Sequence, residues 1–354
     1  MNSINLSGGN LELFLELNEY GMNFKIFNIL RASLKLGIYD YLKSKKSLNE
    51  ISDYFGIKIN KLDPFLNVLM ELGYIKLVED KYQNTEISEV FLTSDSFYSM
   101  KDYFFTMSRF SDMWYNLDTT LKEDIVFQDK DVFVNVVNGM GYECLLGELE
   151  KTIEIINKYP KFQNGKKALD LAGGHGLYAI GMEKSNPALQ TYVFDLKKVL
   201  RNTQEFIDKF NSNVKTIPGD FNTDDLGFDY DIIFSSYNPG GKNPKIAEKI
   251  YSALNDGGLF ITKQCFNGEE DNANLPEDLA SKIGILEWNF SHLNNDNVKN
   301  KNLYSFKGDL SFNNYVEYLK KLGFLILDVY AEDEFSNKNS KKCNAYMIVA
   351  EKRK

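Results

Sequence analysis

Apolar positions recur with two different periods along this chain, and the change of period divides it. In residues 24–42, "FKIFNILRASLKLGIYDYL", Ile26, Ile29, Leu30, Leu34 and Leu36 fall at the spacing that gives a helix one apolar face. "SLNEISDYFGI" predicts a second helix, with Ser47 and Glu50 as a capping-box pair and Gly56 as the stop. "KINKLDPFLNVLMELGYI" predicts a third, with Pro64 near its start and Gly73 at its end. "IKLVEDKYQNTEIS" then reads as a small hairpin. Three helices and a hairpin make a winged-helix pattern. The residues ahead of them, 1 to about 19, read as an arm that turns helical from Leu11.

Residues 97–158 are predicted helical and are rich in aromatic side chains. After Pro160 and the polar "KFQNGKK" the pattern changes to short apolar runs at 167–171, 190–194, 214–217, 230–235 and 258–264, with helices between them. That rhythm predicts a parallel sheet covered on both faces. The end differs: "FNNYVEYLKKLGF" is a helix stopped by Gly323, and "FLILDVYAED" and "NAYMIVAEKRK" follow as two strands. The expected fold is α/β, a doubly wound Rossmann-like sheet closed by an antiparallel C-terminal hairpin, behind an all-helical or winged-helix domain. The expected divisions are 1–95, 96–160 and 161–354.

Composition narrows the classes. At 354 residues and 43% hydrophobic content the chain can bury a sizeable core. A formal net charge of -9 disfavours a general nucleic-acid surface. No apolar run approaches the roughly 20 residues of a membrane span, and the acidic N-terminus lacks the features of a signal peptide. The three cysteines, Cys144, Cys265 and Cys343, are scattered and read as reduced thiols of a cytoplasmic protein, with no metal site.

The candidate chemistry begins at "LDLAGGHGLYAI", a strand-type run that meets glycines and then a helix. Gly174-His175-Gly176-Leu177-Tyr178-Ala179 fits the dinucleotide fingerprint, and Asp195 stands about 20 residues on, where ribose hydroxyls are held. NAD sites and S-adenosylmethionine (SAM) sites share these features. Two others favour SAM: Asp220-Phe221 after the third strand, a carboxylate beside an aromatic ring suited to adenine, and Asp170 ahead of the glycines, suited to an amino-acid end.

The order of "LDLAGGHGLYAI", "VFDL", "GDFN", "LNDGGLFITK" and "FNNYVEYLKKLGF" resembles the plant- and bacterial-type small-molecule O-methyltransferases that carry an N-terminal dimerisation domain. The resemblance spans nearly the whole chain from about residue 22. It implies SAM as cofactor, a small-molecule acceptor, a homodimer built through the N-terminal domain, and neither nucleic acid nor membrane as partner. By position it implies that Asp170, Gly173, Gly174 and Gly176 face the methionine end of SAM. Asp195 then holds the ribose and Asp220 and Phe221 the adenine, with Leu196 and Ser235 as further cofactor-binding residues. Phe104, Met107, Trp114 and Met140 become the substrate-pocket wall; helix core is the plainer alternative for them.

The chain departs from that family where the catalytic pair belongs. The usual histidine base falls near Gly240, and the acid that orients it falls at or near Gln264. The two histidines are His175, in the glycine loop with a cofactor-side or structural role, and His292, a candidate base in a segment suited to covering the substrate. Tyr237 and Asn238 are the other catalytic candidates; "YNPGG" resembles the Asn-Pro-Pro-Tyr loop of amino-group methyltransferases, and a simple turn is the alternative. The missing pair shifts the expected acceptor from a hydroxyl towards an amine, a thiolate, a carbanion or an acidic phenol, because SAM is already an activated donor. Two other readings stay open: a SAM-binding enzyme that does not transfer methyl, and a winged-helix DNA-binding regulator, which the acidic third helix disfavours.

Overall fold

A computed structural model describes residues 11–108, 111–122, 132–238, 240–266, 279, 282–283, 286, 308–336 and 345–353, with the side chains of 106, 112 and 132–136 excepted. The chain divides into two compact units, Met1–Phe110 and Ser111–Lys354.

The first unit opens with α1 (Leu11–Leu36), which ends where Gly37 takes φ 78° and turns the chain into α2 (Ile38–Tyr41). Before α3 (Leu48–Phe55) the capping box is formed: the Glu50 amide donates to Ser47 Oγ at 3.3 Å, and the Ser47 amide donates to Glu50 Oε2 at 2.7 Å. Gly56 closes this helix in the left-handed region, as its sequence position predicts. Helix α4 (Ile59–Glu71) forms within the expected stretch and carries Pro64 in its second turn. The ring removes one helical donor there, and the burial of Leu62, Leu66 and Leu69 on one face holds the helix through it. The hairpin of β1 (Ile75–Val78) and β2 (Lys81–Asn84) is antiparallel, with Glu79 and Asp80 both left-handed at its turn. Leu34, Ile38, Tyr39, Ile51 and Ile75 complete this unit's core. The first 14 residues of α1 are different: Leu11, Phe14, Leu17 and Phe24 are all exposed.

In the second unit a seven-stranded sheet runs β5-β4-β3-β6-β7-β9-β8. Its strands are β3 (Lys167–Leu171), β4 (Gln190–Asp195), β5 (Lys215–Pro218), β6 (Tyr230–Ser236), β7 (Leu254–Cys265), β8 (Phe324–Ala331) and β9 (Ala345–Lys352). The first five are parallel to their neighbours, and β9 enters antiparallel beside β7, so the sheet is mixed as expected. Each expected strand lies within two residues of its place, except β7, which begins four residues earlier. Apolar cores lie on both faces, one built on Ala168, Val193, Phe234 and Ile261, the other on Leu169, Leu171, Ile233 and Phe260. Strand order reverses between β3 and β6, which leaves a crevice beyond their C-terminal ends; in open α/β sheets that is where ligands bind. Cys144 is a buried thiol outside any disulfide. Cys265 is in a disulfide, which corrects the expectation of three reduced thiols.

Candidate active site

From β3 the chain enters the glycine loop through Ala172, a non-glycine residue at φ 52°, and leaves β6 through Tyr237 at φ 48°. Left-handed backbone at non-glycine residues concentrates at functional sites, and here two such residues flank the switch point. The glycines are sterically required. A Cβ on Gly173 would lie 2.5 Å from Asp170 Cγ, and one on Gly176 would lie 2.7 Å from Thr203 Cγ2. Gly174 takes φ 53°, and a Cβ there would meet Val137 of α5 (Val132–Glu143) at 3.2 Å, so that helix stands over the loop.

Asp170 is wholly buried on β3, and neither carboxylate oxygen has a hydrogen-bond partner. Burial pushes its carboxyl up to about 7; the nearby Asp195 carboxylate adds to this, and the Ala179 amide dipole and the Lys263 ammonium oppose it. Asp195 ends β4, with Oδ2 accepting the Gly174 amide at 2.9 Å and Oδ1 accepting that of the exposed Leu196 at 2.7 Å. It is thus fixed against the glycine loop, and each oxygen keeps a lone pair for a ligand. Asp220 starts a turn in which its Oδ1 accepts the Asn222 amide at 2.9 Å, while Phe221 packs partly buried against the sheet.

His175 does not face chemistry as a base. Its Nδ1 accepts the Leu177 amide at 3.1 Å and so caps α6 (Leu177–Ser185), and burial first, then the Lys263 charge, lowers its pKa to about 4. The ring is neutral at ordinary pH.

Beyond β6 lies a second polar group. Asn238 Oδ1 accepts from Ser235 Oγ at 3.1 Å and from Gln264 Nε2 at 2.6 Å. All three side chains are buried, and the Asn238 amide nitrogen has no partner. Gly240 is left-handed, and among the described residues nothing stands within 4 Å of the Cβ it lacks, so the position expected for a histidine carries no side chain. His292 lies outside the described residues.

Sequence reasoning missed three participants. Ser236 Oγ and Thr262 Oγ1 are also buried without partners near the strand ends. Lys263, fully buried on β7, pairs with Glu148 Oε1 at 2.6 Å and also donates to Tyr178, whose hydroxyl donates to the same Glu148 oxygen at 3.0 Å. Glu148 ends a π-helical turn, Cys144–Glu148, in which Gly147 takes φ 106°. The lysine inside the apolar run "LFITKQCF" was the available signal. Of the expected pocket wall, Phe104 stacks on Phe27 at 4.9 Å within the first unit, and Met107 is half exposed there. Trp114 and Met140, both partly buried, belong to the second unit.

A mixed seven-stranded sheet of this order, with a glycine loop after β3 and an acid ending β4, defines a Rossmann-like methyltransferase. Residues 19–94 match the O-methyltransferase dimerisation domain and residues 128–288 the O-methyltransferase domain, and the chain belongs to this SAM-dependent O-methyltransferase family. A relative from Methanocaldococcus jannaschii, an uncharacterised protein, is 45% identical over 313 residues, 86% of this chain and 82% of its own. Among solved structures, an O-methyltransferase family protein from Burkholderia thailandensis superimposes with TM-score 0.67 at 15% identity, covering 96% of this chain and 98% of its own. Human N-acetylserotonin methyltransferase in complex with SAM gives 0.61 at 19% identity, covering 98% and 99%. N,N-8-amino-8-demethyl-D-riboflavin dimethyltransferase from Streptomyces davawensis gives 0.64 at 16%, covering 96% and 98%. At such identities the likeness is one of fold. The chain is a methyltransferase, and its residues fit SAM: the orphaned Asp170 carboxyl suits an ammonium, and each Asp195 carboxylate oxygen keeps a lone pair that suits a hydroxyl.

Proposed function

We propose that this enzyme methylates a small molecule at an atom that needs no base from the protein. The observation that carries this is the set of groups at the C-terminal ends of β6 and β7: Asn238 and Gln264 are hydrogen-bonded amides, and Gly240 has no side chain. None takes up a proton near neutral pH. In this reading Asp170, Gly173, Gly174 and Gly176 hold the methionine end of SAM, Asp195 and Leu196 the ribose, Asp220 and Phe221 the adenine, with Ser235 at the strand end. When bound, SAM supplies an electrophilic methyl on a sulfonium. The protein orients the acceptor, and alignment alone is worth roughly 7–11 kcal/mol in well-aligned systems. Tyr237 and Asn238 position the acceptor, and Trp114 and Met140 contribute apolar wall. Hydroxyl, amino and thiol acceptors all occur in chemistry of this kind; the dimethyltransferase of similar fold bears a name that places its methyls on an amino nitrogen. The matched dimerisation domain and the exposed apolar residues of α1 support a homodimer.

The test is transfer of isotopically labelled methyl from SAM to a panel of small phenols, amines and thiols. Labelled product together with S-adenosylhomocysteine supports the reading. Turnover of SAM without a methylated acceptor defeats it in favour of non-methylating chemistry.

A further inference from the structure

The orphaned amide of Asn238 says more about the acceptor, on the reading just proposed. Both lone pairs of its Oδ1 are spent, one on Ser235 Oγ at 3.1 Å and one on Gln264 Nε2 at 2.6 Å. Reversing Asn238 alone would set two NH2 groups against each other at that 2.6 Å separation. With the two amides so placed, its free group is a donor, buried and without a hydrogen-bond partner. A buried donor left unmade costs about 1–3 kcal/mol, a debt that a ligand atom can cancel.

The loop is held in place. The Tyr237 amide donates to the Lys263 carbonyl at 2.8 Å, the Gly241 amide to the Asn238 carbonyl at 3.1 Å, and Tyr315 Oη to the Gly241 carbonyl at 3.0 Å. Gly241 is required: a Cβ there would lie 2.1 Å from Asn238 Oδ1 and 2.4 Å from Gln264 Nε2. The donor is thus preorganised beside the switch point where β6 ends.

A donor of this kind favours one protonation state of its partner. It cannot take a proton, and its bond is about twice as strong to an anion as to a neutral atom. An amine brings its own N–H groups and needs an acceptor, and both lone pairs of Asn238 Oδ1 are already taken. We infer that Asn238 is a catalytic residue whose amide N–H holds the ionised oxygen of the acceptor, so that the enzyme selects hydroxyls acidic enough to lose their proton in water. In the transfer, the oxyanion lone pair forms the new C–O bond while the C–S bond of the sulfonium breaks and its electron pair stays on sulfur. The two charges cancel, and no proton passes to the protein.

4-Nitrophenol and 4-nitroaniline test this, because they share a shape and differ in the group presented. With S-adenosylhomocysteine present, spectrophotometric titration at neutral pH should show 4-nitrophenolate bound about 10- to 100-fold more tightly than 4-nitroaniline, with the ionisation midpoint of the bound phenol lowered. Asn238→Asp puts an oxygen where the NH2 stood, and it should erase or reverse that preference while leaving S-adenosylhomocysteine affinity unchanged. Gly241→Ala, which displaces the Asn238 side chain without changing its chemistry, should weaken phenolate binding in the same assay and serves if the first variant fails to fold. Tighter binding of 4-nitroaniline overturns the inference, since it means that both amides are reversed and the loop presents an acceptor. An unchanged ratio in Asn238→Asp overturns it too, as does binding of neither probe by protein that binds S-adenosylhomocysteine. Failure to bind S-adenosylhomocysteine at all instead removes the methyltransferase reading on which the inference rests.

Discussion

On the proposed reading, Asp170 should couple cofactor binding to pH. Its carboxyl is fully buried, and burial is the main cause that pushes it to about 7 in the protein without ligand. The folded value is raised, so its contribution to stability is fully present below the unfolded carboxylate value, about 3.9, and is lost as pH rises through about 7. Three pH units correspond to about 4 kcal/mol as an upper bound. An ammonium placed beside the orphaned oxygens reverses the preference, because it pairs with the ionised form. The affinity for S-adenosylhomocysteine should therefore rise about tenfold per pH unit below 7 and flatten above it. Calorimetry between pH 5.5 and 8, in buffers of different ionisation enthalpy, should find close to one proton released per ligand bound near pH 6. Asp170→Asn should bind more weakly with a flat pH profile, and without ligand it should melt higher than the parent at pH 8, because a desolvated charge is gone. A flat affinity in the parent, or an equal slope in Asp170→Asn, refutes the assignment of Asp170 to the ammonium.

Other outcomes follow from the same contacts. Glu148→Gln leaves the buried Lys263 ammonium without a countercharge and should cost about 3–5 kcal/mol in urea denaturation, whereas Glu148→Leu combined with Lys263→Met should recover most of it. Replacing the exposed Phe14 and Leu17 of α1 with serine should shift the sedimentation of the protein from dimer towards monomer; unchanged sedimentation would exclude this helix from the interface. His292→Ala should change turnover by much less than the 10²–10⁴-fold that loss of a general base costs. A thousand-fold loss with intact S-adenosylhomocysteine binding would show that the base resides there.

Much of the fold is legible in local pattern. The capping box at Ser47, the stop at Gly56, the parallel strands and the antiparallel pair at the end follow from periodicity and from residues with special backbone demands. Such signals survive because a helix face or a strand face is set by neighbours a few positions away. Pro64 works the same way: as a local signal it marks the start of a helix, and α4 carries it in its second turn, held by the burial of Leu62, Leu66 and Leu69. The glycine loop and Asp195 were likewise visible as spacing, and Gly240 and Gln264 as departures from a family pattern.

Tertiary structure alone decided the polar chemistry. Lys263 meets a carboxylate 115 positions away, and Gln264 meets Asn238 across 26. No periodicity records such pairs, since each depends on which strand ends the topology brings together. Whether Asp170 is ionised, His175 neutral or the Asn238 amide unspent is likewise absent from the string of residues. Those properties arise from desolvation and from which lone pairs and protons remain unmatched, and both exist only after the chain has closed around them.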